Sequence, residues 1–215
     1  MAQLFPKWSN KLPIYILMGL VLLIGSLTFS IWYWGSPEFT DVGYSPKQPI
    51  KYSHKFHAGE LGLDCRYCHT KVEFSANAGV PPTQTCMNCH AAVKKDSLTL
   101  ELVQLSWDIQ RPIEWVRVYK SPDYVYFDHS IHVNNGIGCS SCHGDVKEME
   151  TVFQAKSLSM GWCLECHNNP ENYIRPLDMI TDTKWIAPQN QVEFGLQQIK
   201  EKNITPPTEC TGCHR

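Results

Sequence analysis

The sequence predicts a domain of short helices with little regular secondary structure, held by a single N-terminal transmembrane helix. Three observations support this fold class. Residues 14–34 form an apolar run without charge, all ten cysteines occur in one repeated pentapeptide, CxxCH, and few stretches of the 215 residues keep a helical or strand period. A formal net charge of −2 without a long basic run excludes nucleic acid as an expected partner.

The apolar run, IYILMGLVLLIGSLTFSIWYW, is long enough to cross a lipid bilayer. At a helical rise of about 1.5 Å per residue it spans about 30 Å, the thickness of the hydrocarbon core. Trp8 and residues 32–34 fit aromatic belts at the two interfaces, and Lys7 and Lys11 place the N-terminus in the cytoplasm. A cleaved signal peptide is the alternative, but the run is too long and no A-x-A-like site follows.

The cysteines form five CxxCH units that leave no cysteine over. Two intervening residues separate the thiols so that they can bond two vinyl groups, and the adjacent histidine reaches the iron, which makes CxxCH the attachment sequence of a c-type haem. Disulfides, zinc sites and thioredoxin-like pairs give no reason for a histidine after every second cysteine. The units are Cys65, Cys68 and His69; Cys86, Cys89 and His90; Cys139, Cys142 and His143; Cys163, Cys166 and His167; Cys210, Cys213 and His214.

The expected molecule is therefore a multihaem cytochrome c in which five haem c groups form much of the core. Residues 1–34 are expected to be a cytoplasmic tip and an uncleaved anchor, and residues 35–50, rich in proline and glycine, an extended linker. Because c-type haem is attached outside the bacterial cytoplasm, residues 51–215 are expected on the periplasmic face of the inner membrane.

An internal repeat organises the exported part. The order HxxH, CxxCH, CxxCH occurs over about residues 51–93 and again over about 126–170, with an aromatic residue shortly before each HxxH. The fifth CxxCH ends the chain, and its lead-in PPTEC echoes PPTQTC before Cys86. Outside the repeats, helices are predicted over 97–110 and from Gln191, and a short strand or extended turn over 114–127. In the second helix Val192, Leu196 and Ile199 share one face.

The four histidines outside the CxxCH units all lie in the HxxH pairs. They are His54, His57, His129 and His132. A spacing of three residues puts both members of a pair on one face of a helical turn, so each pair can supply sixth ligands to two neighbouring irons. One of the five sixth positions is left for methionine, another ligand or none. Met160 and Met149 lie among the haem sites and are the candidates, and gap-filling in the core is the alternative for each.

These features resemble the pentahaem cytochrome c subunit of alternative complex III. The uncleaved helix, the two HxxH–CxxCH–CxxCH units, the terminal CxxCH and the stretches VYFDHSIH and MGWCLECH carry the resemblance, which covers essentially the whole chain. It implies a membrane quinol:electron-acceptor oxidoreductase. The implied partners are an iron–sulfur subunit, polytopic quinol-binding membrane subunits, and a monohaem cytochrome or soluble electron acceptor. The family also supports the CxxCH histidines as proximal ligands and the HxxH histidines as distal ones.

The leading hypothesis is an electron-transfer subunit without bond-making chemistry of its own, because six-coordinate iron has no open position for a substrate. A stand-alone, membrane-anchored multihaem quinol dehydrogenase is the first alternative, although one helix offers little room for a quinol pocket. A nitrite or hydroxylamine reductase is the second. Pentahaem nitrite reductases have lysine after one CxxC, whereas all five units here have histidine.

Overall fold

A computed structural model of the chain describes residues 4–214, which divide into two compact units, one ending at Asp41 and the other beginning at Val42. Within those residues no β-strand forms, and two isolated bridges join Val125 to His214 and Ile137 to Ile174. The α-helices are α1 (Leu12–Trp34), α2 (Pro37–Thr40), α3 (Cys65–Cys68), α4 (Thr83–His90), α5 (Glu101–Asp108), α6 (His129–Asn134), α7 (Cys139–His143), α8 (Met160–Asn168), α9 (Gln191–Lys202) and α10 (Cys210–Cys213). A π-helical turn covers Lys55–Glu60, and 3-10 turns cover Lys7–Lys11, Leu98–Leu100, Val146–Glu148, Pro170–Asn172 and Leu177–Met179.

The first unit is built around α1, which confirms the predicted apolar helix and begins two residues earlier than expected. Pro13 lies in its first turn, where a backbone N–H would have no intrahelical acceptor, so proline costs the helix no hydrogen bond. The 23 residues of α1 span about 35 Å. Its apolar side chains are exposed along its length. By length and composition it belongs to the one helix among residues 4–214 that could cross a membrane.

The segment predicted as an extended linker, residues 35–50, is extended only in part. Residues 37–40 form the single turn of α2, because Pro37 suits a first helical position, so the prediction is wrong there. After Val42 the chain is tied into the second unit. The N–H of Gly43 donates to the carbonyl of Gln154 at 2.8 Å, and the N–H of Gln154 donates to the carbonyl of Tyr44 at 3.0 Å.

The two helices predicted outside the repeats are confirmed. A 3-10 turn, Leu98–Leu100, leads into α5, and α9 begins at Gln191 as expected. The stretch over 114–127 forms no strand and contains a turn at residues 123 and 124, and its one bridge, among the described residues, is made by Val125.

Helix α9 packs through a different face from the one that its apolar residues define. Val192 and Leu196 are 50% and 54% exposed, whereas Gln191 and Gly195 are buried. The Gln191 amide donates to the carbonyls of Glu171 and Ile174 at 2.8 and 2.7 Å. Glycine at 195 lets the backbone of α9 approach the 3-10 turn at Glu171, because any Cβ there would overlap that backbone.

The second unit buries few hydrophobic side chains of its own. Among residues 42–214 the buried apolar residues are Val103, Val133, Met149, Ile174 and Ile180. A unit of this size normally encloses a larger apolar core. This shortage agrees with the expectation that prosthetic groups supply much of the apolar volume.

Candidate haem sites

The five CxxCH units share one local structure. Each places its two cysteines one helical turn apart, so that both thiols project from the same side, and the histidine follows at the end of the turn. Within residues 4–214 no two cysteines are joined by a disulfide. The units are numbered in chain order as site 1 (Cys65, Cys68, His69), site 2 (Cys86, Cys89, His90), site 3 (Cys139, Cys142, His143), site 4 (Cys163, Cys166, His167) and site 5 (Cys210, Cys213, His214).

Capping side chains begin two of these helices. The Asp64 carboxylate accepts from the N–H of Arg66 at 2.9 Å at the start of α3, and the Ser159 hydroxyl accepts from the N–H of Trp162 at 3.3 Å at the start of α8. Arg66 also forms an ion pair with Asp64 at 2.9 Å, and Thr181 donates to the same carboxylate at 3.0 Å. These contacts hold the pKa of Asp64 well below its ordinary value, at about 2.

The HxxH pairs lie on two different kinds of turn. His129 and His132 are in α6, as the spacing predicts, whereas His54 caps the π-helical turn that contains His57. In both pairs the second histidine bonds the carbonyl four residues earlier through Nδ1. His57 donates to Ser53 at 2.9 Å and His132 donates to Asp128 at 2.7 Å.

Backbone carbonyls also fix three CxxCH histidines. The Nδ1 atoms of His69, His90 and His167 lie 2.7, 3.0 and 2.7 Å from the carbonyl oxygens of Gly79, Val93 and Pro207. A carbonyl can only accept, so Nδ1 carries the proton and Nε2 keeps a free lone pair. This tautomer is the one that ligates a metal, and the carbonyl contact orients it.

Three histidines from the HxxH pairs face a histidine of a CxxCH unit. The ring centroids are 6.2 Å apart for His57 and His90, 6.3 Å for His129 and His143, and 6.1 Å for His132 and His167. A metal–imidazole nitrogen bond is about 2 Å long and the nitrogen lies about 1 Å from the ring centre, so trans imidazoles on one metal have centroids about 6 Å apart. Each of the three pairs could therefore hold one iron between its two imidazoles.

His54 lies near His69, the histidine of site 1. Burial, and then the neighbouring His69, lower the pKa of His54 to about 4. Burial and then His129 lower the pKa of His143 to about 4, with His69 and His54 as further neighbours. Both imidazoles are therefore neutral near pH 7, as a metal ligand must be. The buried Nδ1 of His54 has no hydrogen-bond partner in the described part of the chain.

In each HxxH pair one aromatic ring lies against both histidines. Tyr52 contacts His54 edge-on with centroids 4.8 Å apart and stacks on His57 at 4.4 Å. Phe127 contacts the rings of His129 and His132 at 4.7 and 4.8 Å. An aromatic residue before each pair is visible in the sequence, but only the structure shows that one ring touches both histidines.

Arg175 and Tyr119 were not predicted from the sequence. Arg175 is buried beside site 3, with its guanidinium donating to the Asp182 carbonyl at 3.0 Å and lying 4.6 Å from the Trp185 ring. Burial lowers its pKa. The Tyr119 ring lies 4.3 Å from that of His143. Nothing in the spacing near either residue indicates its place, because both reach site 3 through tertiary packing.

The two candidate methionines have different surroundings. Met149 is buried, its carbonyl accepts from the N–H of Lys55 at 3.0 Å, and its Cε lies 3.4 Å from where a Cβ would stand on Gly144. Met160 is 65% exposed at the start of α8, one turn before Cys163. The His214 ring lies 5.8 Å from that of Tyr124.

The donor set fits covalent haem. Two cysteines one turn apart and a following imidazole are what covalent attachment requires, and at sites 2, 3 and 4 a second imidazole lies where it could bind the same iron. At these sites a bound haem supplies one-electron exchange at its iron.

Comparison with known proteins agrees with this chemistry. Residues 50–103 and 125–215 match the family described as cytochrome c7 and related cytochrome c. The multiheme cytochrome c subunit of a menaquinone reductase from Nitratidesulfovibrio vulgaris is 30% identical, over 71% of this chain and 80% of that protein. Members of a cytochrome c family carry covalently bound haem c, and the fold is that of a multihaem cytochrome c. With five CxxCH turns and a family match over most of its length, the chain belongs to the cytochrome c7 and related cytochrome c family.

Proposed function

We propose that this chain is the electron-transfer subunit of a membrane-bound, quinone-linked respiratory or photosynthetic complex, and that it carries five haem c groups. The opposed histidine rings of sites 2, 3 and 4, at 6.1–6.3 Å, carry this proposal. Two axial histidines saturate the iron, which favours electron transfer over substrate chemistry. The apolar helix α1 supports attachment to the membrane.

We assign the axial ligand pairs on the basis of these contacts. The proposed pairs are His54 with His69, His57 with His90, His129 with His143, and His132 with His167. Each HxxH turn then connects two successive sites, the first turn sites 1 and 2, and the second turn sites 3 and 4. Site 5 keeps His214 as its proximal ligand.

Met160 is the better candidate for the sixth ligand at site 5. It lies one turn before Cys163, whose thiol is close enough to Cys213 for the two to interact electrostatically. Met149 packs in the core between the first HxxH turn and His143, an imidazole that already faces His129. A methionine-ligated haem at site 5 would have a higher potential than bis-histidine neighbours.

From the contacts between sites we propose the order 2–1–3–4–5. Tyr52 touches both histidines of the first HxxH turn and so lies between sites 1 and 2. The side chains of Cys65 and Cys139 lie close enough to interact electrostatically, which brings sites 1 and 3 together. Phe127 likewise touches both histidines of the second HxxH turn and so lies between sites 3 and 4. The bond from His167 to the carbonyl of Pro207 connects site 4 to the chain leading into site 5.

The order leaves sites 2 and 5 at the two ends of the pathway. Cys89 at site 2 and Cys210 at site 5 are exposed, whereas the remaining cysteines are at least partly covered. Electrons would therefore enter at one end and leave at the other. An iron–sulfur subunit with polytopic quinol-binding subunits is the proposed partner at one end, and a monohaem cytochrome or soluble acceptor at the other.

The direction of transfer distinguishes two candidate complexes. In an alternative complex III, quinol is oxidised and the chain passes electrons outward to the acceptor. The relative from Nitratidesulfovibrio vulgaris is a subunit of a menaquinone reductase, which favours transfer toward the quinone. Both use the same series of sites, with the haem domain on the periplasmic side.

The test is to solubilise native membranes in mild detergent, separate them on a native gel and stain for haem. A haem band far above 24.6 kDa that contains iron–sulfur and polytopic subunits supports the proposal. A monomer band, or a small homo-oligomer that oxidises a quinol analogue, would favour a stand-alone quinol dehydrogenase. Intact mass and a pyridine haemochrome assay of the purified chain should give five haems. Adding quinol or reduced donor to the isolated complex then decides the direction.

A further inference from the structure

One aromatic side chain lies against both histidines of each HxxH pair, in the same way in both repeats. Tyr52 stands two residues before His54, and its ring is edge-on to His54 at 85° and nearly parallel to His57 at 19°. Both contacts are short, with centroids 4.8 and 4.4 Å apart. The ring therefore fills the angle between the two imidazoles.

Phe127 repeats this geometry two residues before His129. Its ring is edge-on to His129 at 84° and inclined by 31° to His132, with centroids 4.7 and 4.8 Å apart. Two copies that differ in most other residues keep one ring perpendicular to the first histidine and roughly parallel to the second. The shared feature is the aromatic plane, since the hydroxyl is present in Tyr52 alone.

Such a ring restricts the one rotation that iron ligation leaves open. A histidine bound through Nε2 can still turn about the metal–nitrogen bond, and the contact on its face or edge limits that turn. The second histidine of each pair is also held by its Nδ1 bond to a carbonyl, at Ser53 for His57 and at Asp128 for His132.

The first histidines of the two pairs are held unequally. The Nδ1 atom of His129 donates to the carbonyl of Ala76 at 2.8 Å. The Nδ1 atom of His54 is buried without a partner in the described residues. At His54 the Tyr52 ring is therefore the main contact that sets the imidazole plane.

We infer that Tyr52 and Phe127 are positioning residues that fix the planes of the distal imidazoles, Tyr52 for sites 1 and 2 and Phe127 for sites 3 and 4. The inference rests on the proposed function, because it takes the HxxH histidines as iron ligands. The dependence on the aromatic residue is greatest at site 1.

The test is electron paramagnetic resonance of the oxidised, purified holoprotein, because the g values of a low-spin ferric haem depend on the angle between its axial imidazole planes. The variants are Tyr52→Leu, Phe127→Leu and the conservative Tyr52→Phe, with Phe74→Leu as the control, since Phe74 is 72% exposed and belongs to no HxxH turn. Haem content is measured for each.

Tyr52→Leu is expected to shift the low-spin signals of two haems, one more than the other, and Phe127→Leu those of two different haems. Tyr52→Phe should keep the wild-type spectrum because it keeps the ring, and Phe74→Leu should also keep it. If Tyr52→Leu does not accumulate with full haem, Tyr52→Met replaces the ring by a flexible side chain of similar length. Unchanged spectra in fully loaded leucine or methionine variants would overturn the inference.

A separate variant distinguishes failure of the inference from failure of the proposed function. His57→Ala removes a proposed ligand and should convert one haem to the high-spin form. If it does so while the Tyr52 variants change nothing, the ligand assignment stands and the positioning role is wrong. If His57→Ala leaves every haem low-spin, the ligand assignment itself is wrong, and the inference falls with it.

Discussion

The close approach of α9 to the 3-10 turn Pro170–Asn172 predicts opposite effects for two Gly→Ala substitutions. In Gly195→Ala the new Cβ would lie 2.6 and 2.7 Å from the Cα and carbonyl carbon of Glu171, and closer still to its carbonyl oxygen. All three are backbone atoms, which cannot rotate away as a side chain could. In Gly161→Ala, within α8, the Cβ would meet nothing within 4 Å.

The magnitudes follow from three contributions. Alanine is favoured over glycine in a helix interior by about 1 kcal/mol. Overpacking against a rigid neighbour costs about 1–3 kcal/mol. Moving α9 away also weakens the two bonds from the Gln191 amide to Glu171 and Ile174, each worth about 1 kcal/mol. Gly195→Ala should therefore lose roughly 2–4 kcal/mol of stability, whereas Gly161→Ala should gain up to about 1 kcal/mol.

The assay is thermal unfolding of the haem-loaded chain in mild detergent, followed by circular dichroism. For a chain of this size a change of about 1 kcal/mol moves Tm by roughly 2–4 °C, so Gly195→Ala should melt roughly 5 °C or more below the wild type. Equal haem content in the two variants is the control. A Gly195→Ala protein as stable as Gly161→Ala would refute the tight packing of α9 on Glu171.

Three further predictions concern the sites. Met160→Leu should abolish the optical signature of a sulfur-ligated haem and lower one midpoint potential in a redox titration. Met149→Leu should leave the optical signature and the potentials unchanged and cost less than about 1.5 kcal/mol of stability. The opposite result would make Met149 the ligand. His132→Ala should leave one haem with an open axial position, detected as a high-spin absorption spectrum and binding of carbon monoxide after reduction; an unchanged spectrum would exclude its pairing with His167. Asp64→Asn should reduce stability at neutral pH. The pKa of Asp64 is about 2 in the folded chain and 3.8 ordinarily. Its contribution is therefore present above pH 3.8 and is lost as the pH falls toward 2. Acid unfolding curves of the two proteins should accordingly converge over that interval, and parallel curves would contradict the prediction.

The haem-attachment sites could be predicted from the sequence because each is formed by residues close together along the chain. The three-residue spacing of each cysteine pair, with its adjacent histidine, is a local constraint that one helical turn satisfies, and the structure places all five on such turns. The apolar helix α1 was predictable for the same reason. Length and composition alone determine whether such a helix can cross a bilayer.

Which groups meet across the fold was decided by the tertiary structure alone. His129 bonds the carbonyl of Ala76, 53 residues away, and Cys65 meets Cys139, although no pattern in the sequence relates them. The packing face of α9 could not be predicted from the sequence either. A glycine and a glutamine make the close contacts, whereas the apolar residues Val192 and Leu196 remain half-exposed. Spacing along the chain fixes what each turn can bind, whereas the order of the sites depends on contacts between distant segments, which arise from the packing of the whole unit.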